Sequence, residues 1–304
     1  MSALNHLLTA SDLSEASHHV LDRGFQLAQA SGARYTVMHA LGLQVMTGLW
    51  DMLGERSEGA ARKLEAHQRD VIARQVAAAD RQRGVPVSIR VVEGAPASVI
   101  PEQAREMGVD LVLVGAHGAG FLQRLLLGST ASRLLRKSHC PLLVVRNPVA
   151  DAYSRALVAV DFSPGSELAI RKVRLLAPRA HLHLLHVFDL PFESMLRYAD
   201  VTEETIHQYR VQAREKAMRQ LHEMAREVGL SPLDYTPLVL HGDATRLILT
   251  LEEEHGCDLL VLGKHGIHVT EELLLGSVTK RVLAESEADV LVVVDARPRS
   301  PEED

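Results

Sequence analysis

Several residue types are scarce in this chain, and each shortage removes a class of protein. Only two cysteines, Cys140 and Cys257, occur among 304 residues. That is too few for a disulfide framework and fits a reducing compartment. Aromatic residues make up 4%, which leaves few platforms for stacking single-stranded bases. The formal net charge is −6, so the basic excess that binds a phosphate backbone is missing. No apolar run approaches the roughly 18 residues of a spanning helix. The first residues carry no basic segment, and Asp12 and Glu15 interrupt their apolar stretch, so no secretory signal is expected. These absences point to a cytoplasmic protein whose partners are neither nucleic acid nor membrane. What is present, 46% apolar and 24% charged residues, is globular composition. The length suits two domains at about 150 residues each.

The chain repeats itself. Leu125-Leu126-Leu127-Gly128-Ser129 returns as Leu273-Leu274-Leu275-Gly276-Ser277, and residues 108–115 return as 256–263, both at an offset of 148. Gly94 falls on Gly242 at the same offset, Asp12-Leu13-Ser14 on Asp161-Phe162-Ser163 at 149, and His39 on His186 at 147. A near-constant offset of this length means two copies of one domain and is far too long for a solenoid unit. The seam is expected near Asn147-Pro148-Val149-Ala150, giving domains over 1–148 and 149–304.

Within each copy, strand and helix patterns alternate. In the first, strands are expected near 4–10, 35–40, 85–93, 111–114 and 142–145. Helices are expected over 14–30, 55–83, 97–107 and 129–137. The second copy repeats the order, with strands near 156–160, 181–187, 234–240, 259–262 and 290–294 and helices near 165–177, 201–228, 244–255 and 277–285. Continuous Val, Leu and Ile strands separated by helices imply an α/β fold: a doubly wound parallel sheet of five strands per copy, covered on both faces. Such sheets bind ligands beyond the C-terminal ends of their strands, at a switch point. The apolar last strands, 142–145 and 290–294, would be aggregation hazards if exposed. Pairing them with each other covers both and makes an internal pseudo-dimer.

The chemistry is concentrated in a glycine segment. Gly115-Ala116-His117-Gly118 precedes nine residues and then Gly128-Ser129; Gly263-Lys264-His265-Gly266 precedes nine residues and then Gly276-Ser277. Gly115 and Gly118 have access to positive φ and let a ligand approach bare backbone. Gly128-Ser129 opens a helix, where free N–H groups and the helix dipole favour an anion. Ser129, Thr130 and Ser277 add hydroxyls, and a phosphate chain is the natural occupant. The P-loop pattern G-x4-G-K-[ST] is absent, and Gly118-Ala119-Gly120 follows the fourth strand instead of the first, so neither a P-loop nucleotidase nor a dinucleotide dehydrogenase fits.

This segment, the early Asp-x-Ser and the ending Ser138-His139-Cys140-Pro141-Leu142-Leu143-Val144-Val145 together resemble the universal stress protein family in its tandem form. The resemblance covers nearly the whole chain and implies a Rossmann-like fold and an adenine nucleotide, ATP or else ADP or AMP, with Mg²⁺ entering on the phosphates. It implies that Asp12 and Asp161 contact the nucleoside and that the backbone at Ala40 and Val187 pairs with adenine. Gly115, Gly118, Gly128, Ser129 and Thr130 would hold ribose and phosphates in the first copy. Gly263, Gly266, Gly276, Ser277 and the residue at Val278 would do so in the second, where Val278 lacks the hydroxyl of Thr130. Lys264, where the first copy has Ala116, is expected to aid phosphate binding or to point to solvent. The implied role is in the stress response, through conformation or association; no catalytic residue is assigned.

Other readings stand beside this one. Asp12 and Asp161 also suit plain helix capping, and the glycine segments suit empty loops. The enzymatic alternative is slow ATP hydrolysis or self-phosphorylation, against which no water-positioning base or arginine finger accompanies the motif. The third is a nucleotide-free scaffold or a binder of an apolar ligand, using residues 41–50. His181 and His183 share a strand face, but no cysteine or carboxylate stands at zinc spacing, so structural roles are expected and no metal ligands. The Arg/Glu-rich stretch 209–227 reads as a solvated helix face, the acidic end Glu302-Glu303-Asp304 as an unstructured tail, and further homodimerisation is left open.

Overall fold

The computed structural model of the chain describes residues 3–14, 17–42, 57–77, 84–116, 128–149, 151–190, 201–265 and 275–295. The first copy runs β1 (His6–Ala10), α1 (Ser17–Ser31), β2 (Arg34–Leu41), α2 (Ser57–Val76), β3 (Val87–Glu93), α3 (Pro96–Glu106), β4 (Leu111–Gly115), α4 (Ser129–Lys137) and β5 (Leu142–Val145). The second runs β6 (Arg155–Ala159), α5 (Pro164–Leu176), β7 (His181–Phe188), α6 (Glu203–Glu227), β8 (Tyr235–His241), α7 (Ala244–Glu254), β9 (Leu259–Gly263), α8 (Ser277–Glu285) and β10 (Asp289–Val293). Local chemistry sets these limits. Pro96 and Pro164 stand in first turns, where a missing N–H costs nothing. The side chains of Thr202 and Asp243 accept from Thr205 N and Arg246 N and cap α6 and α7.

The two five-stranded sheets join through their last strands, as expected, into one continuous sheet. Its order is β3-β2-β1-β4-β5-β10-β9-β6-β7-β8. Every pair within a copy is parallel. The one junction between copies, β5 with β10, is antiparallel, with Val290 opposite Val144, Leu291 opposite Leu143 and Val292 opposite Leu142. The two apolar edges thus cover each other, and the pseudo-dimer is built into one chain.

Side-chain alternation divides the core into two layers. Leu143 and Val145 join β1, β2 and β4 residues such as Leu7, Tyr35 and Leu113 against α1, α2, α5 and α6. Leu142 and Val144 face the other way, with Leu8, Met38 and Val112, against α3, α4, α7 and α8. The period of two in β5 is what serves both layers. On α6, Ile206 is buried near the start and Ala217, Leu221 and Ala225 are buried at four-residue spacing farther on, so a narrow apolar stripe anchors the helix.

A buried polar knot fixes the seam. Asp289, 1% exposed, accepts from Arg146 N at 2.8 Å and from Tyr153 Oη at 2.6 Å. Arg23 Nε lies 3.5 Å from the same carboxylate, and its guanidinium sits 4.0 Å over the Tyr153 ring. Burial, then the Asp289 charge, pushes the Tyr153 phenol well above its ordinary range, so it stays a donor. A charge this buried is tolerated because backbone and phenol donors and a nearby guanidinium cation answer it.

Candidate functional site

The strand order places β1 beside β4, and β6 beside β9, while the chain leaves these neighbours in opposite directions. Each pair therefore opens a crevice beyond its C-terminal ends. In the first copy the last bond between β1 and β2 runs from Ser11 N to Met38 O, at 2.9 Å. β2 continues past it, and Leu41 O accepts from Gly94 N on the β3 side at 2.8 Å. Strand alternation then turns the N–H and C=O of Ala40 to the same side as those of Met38, where β1 has ended. The second copy repeats this. Val160 N donates to Leu185 O at 2.8 Å and Gly242 N to Phe188 O at 3.1 Å, so Val187 presents its donor and acceptor to the crevice between β6 and β9.

The Asp-x-Ser segments form tight turns at the crevice floor. Asp12 Oδ1 accepts from Ser14 N (3.1 Å) and Ser14 Oγ (2.6 Å). Asp161 Oδ1 accepts from Ser163 N (3.0 Å), Ser163 Oγ (2.5 Å) and Ser166 Oγ (2.7 Å). The residue between Asp and Ser is left-handed in both, Leu13 at φ 65° and Phe162 at φ 63°. Each costs about 1 kcal/mol or more for a side chain with no special tolerance of that region. Leu and Phe are not residues chosen for positive φ, so residue type alone carries no sign of it. These turns correct two expectations. α1 begins at Ser17 instead of residue 14, because the turn occupies 12–14. Asp161 does not cap α5 directly: the N-cap is Ser163, without a side-chain cap bond.

His39 and His186 stand over these turns. Nδ1 of His39 lies 2.8 Å from Ser11 O, and Nδ1 of His186 lies 2.8 Å from Val160 O. A carbonyl only accepts, so Nδ1 carries the proton in both. Burial lowers the His186 pKa, opposed by its bond to Val160 O and by Asp161. Its ring packs 4.3 Å from that of Phe162. The repeat offset singled these histidines out, but their positioning role emerges only from the packing.

The glycine segments leave the ends of β4 and β9. Ala116 N donates to Val145 O (3.0 Å) and Lys264 N to Val293 O (2.8 Å); Gly128 N then returns to Ala116 O (2.9 Å) and Gly276 N to Lys264 O (3.0 Å). Gly118, Gly266 and His117 lie outside the described residues, as do residues 43–50 and 296–304. Gly115 is not among the positive-φ residues, nor are its counterpart Gly263 or the N-caps Gly128 and Gly276; Gly115 and Gly263 close extended strands. At Gly263 the absent side chain matters through space: a Cβ would sit 3.0 Å from His265 O. Gly128 and Gly276 are the N-caps of α4 and α8, at φ −56° and −53°, and neither offers a side-chain cap. The first N–H groups of both helices therefore have no intrahelical acceptor. Ser129, Thr130 and Ser277 are exposed there, whereas Val278 is half-buried.

Lys264 contradicts its expectation. It neither reaches a phosphate position nor faces solvent. Only 5% exposed, it sends Nζ across the seam to Arg136 O (2.8 Å) and Ser138 O (3.4 Å), at the C-terminus of α4. A cation there complements the negative end of the helix dipole. Thr279, unremarked in the sequence, is buried and donates its Oγ1 proton to Gly263 O at 2.8 Å. The only available signal was that the first copy has Ala131 at that position.

Two other features stand apart from the crevices. A cavity of about 550 Å³ lies at the seam, lined by His139, Cys140, Lys172 and Asp295 among others. His183 stacks on His255 at 4.4 Å, with the ring of His181 at 5.3 Å. Among the described residues no helix is long and apolar enough to cross a membrane.

Comparison with known proteins then gives a consistent result. The family model of the universal stress protein family matches residues 4–146 and again 152–294. Universal stress protein MJ0531 of Methanocaldococcus jannaschii is 43% identical over 65 residues, 21% of this chain and 38% of that protein's own length. Universal stress protein Rv2005c of Mycobacterium tuberculosis is 26% identical over 267 residues, covering 84% of this chain and 86% of the relative. The crystal structure of a universal stress protein from Archaeoglobus fulgidus superposes with a TM-score of 0.64 at 19% identity, over 96% of this chain and 98% of that one, a likeness of fold.

Proposed function

The chain belongs to the universal stress protein family in tandem form, and from that premise we propose that each copy, 1–148 and 149–304, binds an adenine nucleotide in its switch-point crevice. ATP is the favoured ligand, with ADP and AMP as relatives that share its recognised parts. The backbone pair at Ala40 or Val187 offers one donor and one acceptor, which complements the edge of adenine. The carboxylates of Asp12 and Asp161 suit ribose hydroxyls. The phosphates go to the N-termini of α4 and α8, held by the backbone N–H groups of Ser129 and Thr130, and of Ser277 and Val278, and by the hydroxyls of Ser129, Thr130 and Ser277. Gly115 and Gly263, at the strand ends, and Gly118 and Gly266 beyond them are the positions where bare backbone is proposed to meet the ligand. Mg²⁺ enters with the phosphates, which supply its oxygen ligands.

The observation that carries this reading is the duplicated meeting of an uncapped helix N-terminus with a strand-end donor–acceptor pair. An orphaned N–H cluster on a helix dipole is an anion site by construction. The residues present fit the nucleotide, and none of them is assigned a bond-breaking step. Binding acts through conformation or association, in a stress response in the cytoplasm. The test is direct: protein purified from cells is heat-denatured and the supernatant read by mass spectrometry. Stoichiometric adenine nucleotide is expected. Its absence, together with an unchanged melting temperature in millimolar ATP, contradicts the reading.

A further inference from the structure

We propose that the two crevices are unequal and that the second copy is the tight site, because its binding elements are fixed in place before any ligand arrives. The inference rests on the nucleotide reading and adds which copy dominates and which residues make it do so.

Matching positions at the glycine segment and at the crevice floor differ in one direction. At the glycine segment, Thr279 Oγ1 donates to Gly263 O at 2.8 Å, tying the first turn of α8 to the end of β9. The first copy has Ala131 there, which offers no such donor. Next in the chain, Lys264 anchors the second segment through Nζ to Arg136 O and Ser138 O of the opposite copy. Its counterpart Ala116 has no polar side chain and is held by backbone hydrogen bonds and apolar packing, without a hydrogen-bond link to the opposite copy. At the floor, three donors converge on Oδ1 of the half-buried Asp161, and Ser166 Oγ in addition accepts from Asp161 N at 2.9 Å. The matching Ser17 instead turns its hydroxyl to Ser14 O, at 2.6 Å, and the exposed Asp12 Oδ1 accepts from Ser14 N and Ser14 Oγ. Phe162 packs its ring on His186 at 4.3 Å; the first copy has Leu13 at the matching position, which carries no ring.

A ligand that orders loose groups spends binding free energy on their lost entropy; one that meets fixed groups does not. Hydroxyls and carboxylates already locked by neighbours are what a preorganised site requires. The first copy has one compensating advantage, the Thr130 hydroxyl in place of Val278. That side chain is exposed and has to be ordered on binding, so it does not outweigh three prior anchors. Thr279 and Ser166 act as positioning residues, since neither is asked to touch the nucleotide.

Isothermal titration of the full chain with ATP and Mg²⁺ separates the outcomes. Two classes of site are expected, the tighter lost selectively by weakening the second copy. Thr279→Ala should weaken that class by several-fold to about tenfold, the scale of one hydrogen bond, and leave the weaker class alone. Thr279→Ser should restore it. Ser166→Ala provides a second route to the same loss should Thr279→Ala fold poorly. The converse exchange, Ala131→Thr, should tighten the weaker class. Two equal sites, or a Thr279→Ala effect on the weaker class, overturns the inequality while nucleotide binding stands. No binding by the unaltered protein up to millimolar ATP overturns the nucleotide reading, and this one with it.

Discussion

At the scale of single residues, His183 makes the sharpest statement. It is 8% exposed, and its Nδ1 finds no hydrogen-bond partner. Burial first, then His255, His181 and Arg155, lower its pKa from 6.5 to about 4. Below 6.5 the unfolded chain takes up a proton that the folded chain refuses until pH falls to about 4. The stability this neutral ring permits is therefore complete above pH 6.5 and is lost progressively down to pH 4. At about 1.4 kcal/mol per pH unit the loss is on the order of 3 kcal/mol. Urea unfolding at pH 7 and pH 4.5 should show it, and His183→Gln should flatten the difference. An equal loss in the variant would mean that another group titrates. Sequence periodicity put His181 and His183 on one strand face; the partner that decides the pKa, His255, is 72 residues away in sequence from His183, beyond the reach of periodicity.

The same contrast governs whole elements. Strands and helices were legible because buried parallel strands read as unbroken Val/Leu/Ile runs and because Pro and Gly mark helix ends. The turns between them were not. Leu13 and Phe162 take positive φ through their surroundings, and Lys264 crosses a seam that no local pattern describes. Gly94 and Gly242 show where a repeat signal does carry structural content. They sit at φ 139° and 140° after β3 and β8, and each N–H closes onto the end of the neighbouring strand. A Cβ on Gly94 would lie 2.4 Å from Val99 Cγ1, whereas on Gly242 the nearest atom is Leu247 Cδ1 at 3.5 Å. Both Gly→Ala changes should destabilise through backbone strain, by about 1–3 kcal/mol. Gly94→Ala should cost more, because Val99 must also move. Chemical denaturation of the two variants checks the ranking; the reverse order would show that the turn at 94–96 yields easily.

For the molecule as a whole, the duplication made the architecture readable, and the apolar last strands told where the halves meet. The knot of Asp289, Arg23 and Tyr153 at that seam required coordinates. So did the separation of two kinds of space: crevices beyond the strand ends, rich in unpaired backbone donors, and the seam cavity lined by mixed charges. The central claim is that nucleotide chooses the crevices. A crystal structure grown with Mg²⁺ and a non-hydrolysable ATP analogue tests it most directly. The account predicts adenine against the backbone of Val187, and of Ala40 where the first copy is filled, with phosphates over the N-termini of α8 and α4. Nucleotide seated instead in the seam cavity between His139 and Lys172, or crevices holding only water, would contradict it.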